Sequence, residues 1–401
     1  MAVGTMMLFA RVFDGVTDLI MGMIVDKTKS KYGKARPWLL WTAPFMMIGL
    51  VLLFSAPTSL SDSGKLVYAY LTYIFMNCIV STSSNLPFNA LLARMTLNVQ
   101  DRTSASSINN VMTALTTLIV NVITIRLVMT MGWTMTCVVY GIIIIILQVL
   151  CFRSCRERVD GSDNGEAKVE SVPFKVAFPA LLKNKYFYLL TAGFLVFYIM
   201  GACVGSMTYY FCNIVLGNAE LVGLVSTAQT GLSMLGCMVT PALVKRWGKQ
   251  KAMIFGSSLM IVGGVLTGMA GTNLTLVVIA TAIKGFGMGP IIAGIFAMVA
   301  DVVDYGEWKQ GIRIEGLVSS STSIGLKIGL GLGAVLCTFL LNMGGYDGTA
   351  AAQSASAITS IRFGFGYFGA ILSGVLLLII VALNLDKYIG QIQEDLEAKR
   401  S

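Results

Sequence analysis

Residues 31–36 read KYGKAR and residues 246–251 read RWGKQK. Both follow the pattern basic–aromatic–Gly–Lys–x–basic, and they lie 215 residues apart. A short basic loop is a weak signal by itself, so its meaning depends on its surroundings. Each copy lies between apolar runs near the ~20 residues that cross a bilayer as a helix. Between the copies runs RERVDGSDNGEAKVESV, residues 156–172, which is too polar to pack and favours a flexible linker. A loop repeated on either side of such a linker predicts two parallel helical repeats, a known plan of membrane transporters.

Composition supports a membrane chain. Of 401 residues, 56% are hydrophobic and 12% charged, against about a quarter charged in a soluble domain. The period-2 alternation of a membrane barrel is absent. The expected fold class is an all-α polytopic membrane protein. Eleven spans are predicted, beginning near Ala2, Trp38, Leu66, Ile108, Gly132, Phe187, Val222, Ala252, Leu274, Gly316 and Phe363. Loops after the odd-numbered spans, together with the C-terminal tail, hold 23 of the 29 Lys and Arg residues. That asymmetry follows the positive-inside rule and places those loops and the tail in the cytoplasm. The net charge of +9 is therefore topological and does not point to nucleic acid. The eight cysteines form no Cys-x-x-Cys pair and histidine is absent, which excludes a zinc site and a histidine relay. No cleavable signal peptide is visible, since the first helix lacks a basic leader.

The repeat also exposes an imbalance. Two predicted helices precede the second basic loop and one precedes the first. The expected organisation is a five-helix bundle at 1–152, a cytoplasmic linker at 153–185, a six-helix bundle at 186–390 and a solvated cytoplasmic tail at 391–401. On a twelve-helix plan, the first helix is the one not represented.

The first span holds RVFDGVTDLIMG, residues 11–22. At 100° per residue, Arg11, Asp14 and Asp18 fall within an arc of about 60° on one face. A charge at the bilayer centre costs roughly 3 kcal/mol even on the lenient insertion scale, so such residues face a cavity and mark function. Arg11, a proton or a metal cation could neutralise the pair. A hard cation such as Na⁺ favours the oxygens of two carboxylates and the Thr17 hydroxyl. Protonation is the competing answer, because close carboxylates titrate as a unit. A structural Arg11–Asp ion pair is the bland alternative.

This segment, continued as RVFDGVTDLIMGMIVDKTKSKYGKARPW, resembles the second-helix motif of the glycoside–pentoside–hexuronide:cation symporters. NLPFNALLARMTLNVQDRTS is similar to that family's fourth-helix segment, and MVADVVDYGEWKQGIRIEG with SIGLKIGLGLG to its tenth and eleventh helices. The resemblance implies a major facilitator fold of two pseudo-symmetric bundles. It implies a cation site at Asp14, Thr17, Asp18 and Thr82, with Thr17 standing where the best-known member has asparagine. The implied substrate-binding set is Arg11, Asn85, Asn89, Asn110 and Lys327. Asn85 replaces an aspartate, Asn89 an aromatic residue, and Asn109 and Asn110 fall where arginine is usual. Amides serve sugar hydroxyls without charge. Arg102, Asp301, Asp304, Arg313 and Glu315, with Glu307, are implied as a cytoplasmic ion-pair gate. Independently, Lys327 is a lone ammonium within Gly325-xxx-Gly329-xxx-Gly333, a close-packing face, and wants Asp14 or Asp18 as its partner.

The expected activity is secondary active symport of a glycoside or oligosaccharide with Na⁺ or H⁺ by alternating access, at a bacterial inner membrane. No enzyme chemistry and no cofactor beyond the coupling ion are expected. The expected partners are a small sugar and the lipid bilayer, not nucleic acid, with the protein a monomer. Rival readings are a same-fold carrier of another solute such as a lysolipid, and a binding or sensing protein that does not transport.

Overall fold

The computed structural model describes residues 2–57, 59, 61–95, 99–157, 181, 183–311, 315–350 and 352–400, and their regular structure is helical. Helix α1 is Ala2–Lys27 and α2 is Arg36–Phe54. Helix α3, Asp62–Ile74, continues through a π-helical segment, Phe75–Ser81, into α4, Thr82–Met95. The stretch Val99–Ser154 is broken at Gly132, with φ 77° and ψ 169°, into α5 (99–131) and α6 (133–154). The chain doubles back there: the hydroxyls of Thr124 and Tyr140 are 2.7 Å apart, whereas 16 residues of straight helix would separate them by about 24 Å.

Helix α7 is Lys185–Tyr210 and ends in π-helical Phe211–Val215. Helices α8 (Leu221–Trp247), α9 (Lys249–Met269), α10 (Leu274–Gln310) and α11 (Glu315–Met343) follow. Helix α12, Ala355–Arg362, passes through π-helical Phe363–Tyr367 into α13, Phe368–Ala382, and α14 is Ile389–Arg400. Side-chain caps start several of them. Asn184 accepts from the Tyr186 N–H, Asn273 from that of Leu276, and Ser354 from that of Ala357.

Among the described residues, nine helical segments are long and apolar enough to cross a membrane, against the eleven expected. Two features account for the difference. Leu115–Ser154 counts as one segment although it reverses at Gly132. Helix α1, with three charges near its middle, is not among the nine.

The chain divides into two compact units, one holding Phe9–Val169 and the other Glu170–Ser401 with Val3–Leu8. Most of the expected linker, residues 158–180, lies outside the described residues. Within each unit the basic loop has the same build. Gly33 and Gly248, at matching places in the repeat, have φ of 106° and 86°, a conformation that favours glycine. In the first unit, the Glu157 carboxylate, just past α6, accepts the N–H groups of Lys34, Ala35 and Arg36 at 3.0, 2.8 and 2.7 Å. In the second, Asp386, just past α13, accepts that of Gln250 at 2.7 Å. Each unit thus closes the N-terminus of the helix that follows its basic loop, α2 or α9, with an acid from beyond its last span, satisfying orphan donors and meeting the helix dipole.

In a bilayer, apolar burial does not by itself drive helices together, so close contact of small residues does more of the work. Helix α11 shows this. A Cβ on Gly329 would lie 2.7 Å from that of Tyr198, and one on Gly333 2.6 Å from that of Ala202, so α7 lies directly on the predicted glycine face. Phe194, Phe211, Phe365, Met253, Ile291 and Ile295 fill the centre of this unit and are fully buried. The expected polar tail is helical, over Ile389–Arg400. Ile392 is buried, and the Trp308 indole N–H of α10 donates to Asp395 at 2.9 Å. Ile389 packs against the same core, so two apolar side chains and one aromatic donor hold this otherwise polar segment.

Candidate cation and solute site

The carboxylate face of α1 meets the junction between the π-helical segment and α4. Thr82 Oγ1 donates to Asp14 Oδ1 at 3.0 Å, and one turn earlier Cys78 Sγ donates to the Ala10 carbonyl at 3.2 Å. Both pairs are 68 residues apart, so the two helices run parallel here, as the first and third spans of an up-and-down chain must. The widened π turn precedes Thr82 directly, and such turns recur at functional sites because they displace side chains from the regular helical order.

Three of the four predicted cation-site residues are thereby gathered. Thr82 is buried, Asp14 is half-buried, and Thr17 Oγ1 donates to the Asp14 carbonyl at 3.0 Å. Asp18 follows one turn along α1, also half-buried. Carboxylate, hydroxyl and carbonyl oxygens are the donors a hard monovalent cation takes. The side chain of Arg11 lies outside the described residues.

Beside α4 the same unit has an open cavity of 540 Å³, most of whose lining side chains are exposed. Its polar wall is Ser84, Asn85, Asn109, Thr113, Thr116, Thr117 and Gln148; its apolar wall includes Met46, Phe88, Met112 and Leu147. Of the predicted solute residues, Asn85 lines it, as does Asn109, while Asn89 is exposed on α4 and is not part of the wall. The side chain of Asn110 lies outside the described residues. Gln148 and Ser84 were not anticipated. A lone amide in the run GIIIIILQVL was the available signal, because polar side chains inside a span are costly and functional.

Lys327 lies on α11 in the other unit, half-buried beside the glycine face. Of the predicted gate, Arg313 and the side chains of Arg102 and Glu315 lie outside the described residues, and Asp304 and Glu307 are half-buried at the end of α10. Asp301 is buried and takes Lys249 Nζ on both carboxylate oxygens at 2.7 Å. Lys249 was read only as part of a basic loop; its ion pair ties α9 to α10 within the C-terminal unit. Two further cations lie within predicted spans, Arg126 and Lys284, and they differ. Arg126 is exposed near the Gly132 turn, whereas Lys284 is buried with Nζ 4.7 Å from the Phe365 ring centroid.

Two helical units, a carboxylate bonded to a hydroxyl of the neighbouring helix, and an open, partly polar cavity among apolar helices are features of a membrane carrier. The chain belongs to the family described as MFS/sugar transport protein, which matches residues 1–387. The isoprimeverose transporter of Lactiplantibacillus pentosus is 30% identical over 410 residues, covering 100% of this chain and 84% of its own. The glucuronide carrier protein homolog of Escherichia coli strain K12 is 29% identical over 374 residues, covering 90% and 79%. Among solved structures, the nucleoside transporter NupG superposes with a TM-score of 0.62 at 12% identity, covering 95% of this chain and 90% of its own. The major facilitator fold expected from the resemblance is thus found, in a multi-pass integral membrane protein of a transporter family rather than an enzyme family.

Proposed function

We propose that the chain is a sugar:cation symporter of a bacterial plasma membrane, moving a glycoside or oligosaccharide inward with Na⁺ or H⁺. The observation that carries the reading is the bond from Thr82 to Asp14, with Asp18 one turn further along α1. Unoccupied, such a pair is charged and costly; a bound cation or proton neutralises it. Occupancy of this kind links the ion to the arrangement of α1 and α4, and α4 also carries the wall of the solute cavity. The names of the two curated relatives support a sugar as the cargo.

The test is the thermal stability of purified protein in Na⁺ against K⁺ across a pH series, with Asp14→Asn and Thr82→Val alongside. Sodium coupling gives a Na⁺-dependent rise that both variants diminish. Proton coupling gives a pH dependence that Asp14→Asn removes, with no preference for Na⁺. Identical behaviour of all three proteins under every condition refutes the site.

A further inference from the structure

We infer that Gln148 of α6 is a specificity-determining residue of the solute cavity and that the cavity wall selects uncharged sugars over uronates. This rests on the sugar:cation reading above and extends it to a residue and a class of sugar. The cavity's 540 Å³ lies within the range of about 300–1,000 Å³ usual for small-molecule sites. Gln148 Nε2 donates to Ser84 Oγ at 2.8 Å, which commits the amide nitrogen to α4. The other end of the amide, Oε1, is buried and has no hydrogen-bond partner. An unmet buried acceptor is costly, and a donor that fills it is held the more firmly.

The hydroxyls nearby have the same polarity. Thr113 Oγ1 donates to the Asn109 carbonyl at 2.8 Å, and Thr117 Oγ1 donates to the Thr113 carbonyl at 2.8 Å. With their protons directed into the helix, both oxygens have only lone pairs left to offer. Three groups of this wall are therefore acceptors, and no lysine or arginine is among the described residues that line it. A sugar hydroxyl brings a proton to such a wall. A carboxylate brings only acceptors: these three groups cannot pair with it, which leaves it the Asn85 and Asn109 amides and the Ser84 hydroxyl, and no cation among the described lining residues balances its charge. Phe88, 40% exposed, adds an apolar surface for the C–H face of a pyranose.

Matched methyl glycosides test this directly. Methyl β-glucoside and methyl β-glucuronide differ only at C6, a CH₂OH against a carboxylate, and the galactose series repeats the comparison. Binding is measured by titration calorimetry on purified protein in detergent. The neutral member of a pair is expected to bind at least about tenfold more tightly, the scale on which a site built for hydroxyls rejects a ligand that leaves its polar groups unpaired. Gln148→Arg replaces the acceptor by donors and is expected to narrow or reverse that ratio. Thr113→Val removes a second acceptor with little change of volume and is expected to weaken only the neutral sugar. An unfolding midpoint for each variant checks that it is folded. Uronates bound as well as their neutral partners, or a ratio that neither variant moves, would overturn the inference while leaving symport standing. Absence of binding in both series, with the cation response of Asp14 intact, would overturn the sugar reading itself.

Discussion

The Glu157 carboxylate receives three consecutive backbone N–H groups at the start of α2, and Pro37, next in line, has no N–H to donate. Consider Glu157→Ala. Loss of a single side-chain N-cap costs about 0.5–2 kcal/mol, and loss of a negative charge at a helix N-terminus a further ~0.3–1 kcal/mol. Three bonds to one ionised acceptor place this site above a single neutral cap, but Glu157 is only half-buried and water replaces part of what is removed. The expected cost is roughly 2–4 kcal/mol of local stability, a factor of about 30 to several hundred in the opening equilibrium. Hydrogen exchange followed by mass spectrometry reads this locally, at the amides of residues 34–36, with a peptide from the middle of α10 as internal reference. Glu157→Gln keeps an acceptor and loses the charge, so about half the effect is expected. Exchange at 34–36 that rises less than about threefold in Glu157→Ala would refute the idea that this carboxylate holds the loop.

Two further outcomes are expected. Lys284 is 3% exposed, its ammonium has no hydrogen-bond partner, and a ring face at 4.7 Å is its visible compensation; that contact offsets desolvation by about 2 kcal/mol at most, so Lys284→Met is expected to stabilise the protein by roughly 1–3 kcal/mol, read as a higher unfolding midpoint, and a lower midpoint would show that the ammonium has a partner the static contacts do not reveal. Gly132 has φ 77° and ψ 169° with nothing within 4 Å of where a Cβ would stand, so Gly132→Ala isolates backbone strain, expected to cost about 1–3 kcal/mol, and an unchanged midpoint would mean that the reversal tolerates an ordinary residue.

The apolar runs made the fold class legible, and the paired basic loops made the two units legible, because lipid leaves few options to a chain. The repeat proved deeper than its letters. KYGKAR and RWGKQK share a glycine that both units hold at positive φ, so the match records a conformation as well as a composition. What the loops lacked in sequence was the acid each needs. Glu157 and Asp386 lie 121 residues and more from the N–H groups they accept, and nothing in either local sequence announces the pairing. The same limit hid Lys249 as the partner of Asp301, 52 residues away. Gly132 was legible as the start of a span, but that the helix ladder would run up to it from both sides depended on backbone angles that residue type alone leaves open.

The site shows the same division between local pattern and long-range contact. Asp14 and Asp18 were visible because a charge in an apolar run violates the rule of the medium, Thr17 came with them as a neighbouring hydroxyl, and such violations can be read one helix at a time. Gln148 violates that rule as well, yet an amide is a milder offence than a carboxylate and passes unremarked in a run of isoleucines. Its meaning emerges only when α6 is set beside α4, where Ser84 takes the amide nitrogen and leaves the oxygen waiting. Charge therefore pointed from sequence to the proposed ion half of the site, whereas the proposed solute half depends on which way neutral dipoles point. Hydrogen-bond direction is a property of neighbours, and two asparagines of the same composition can sit in the wall, as Asn85 does, or outside it, as Asn89 does. For that reason a substitution that reverses donor and acceptor at Gln148 is a sharper probe of what this carrier recognises than one that merely removes a polar group.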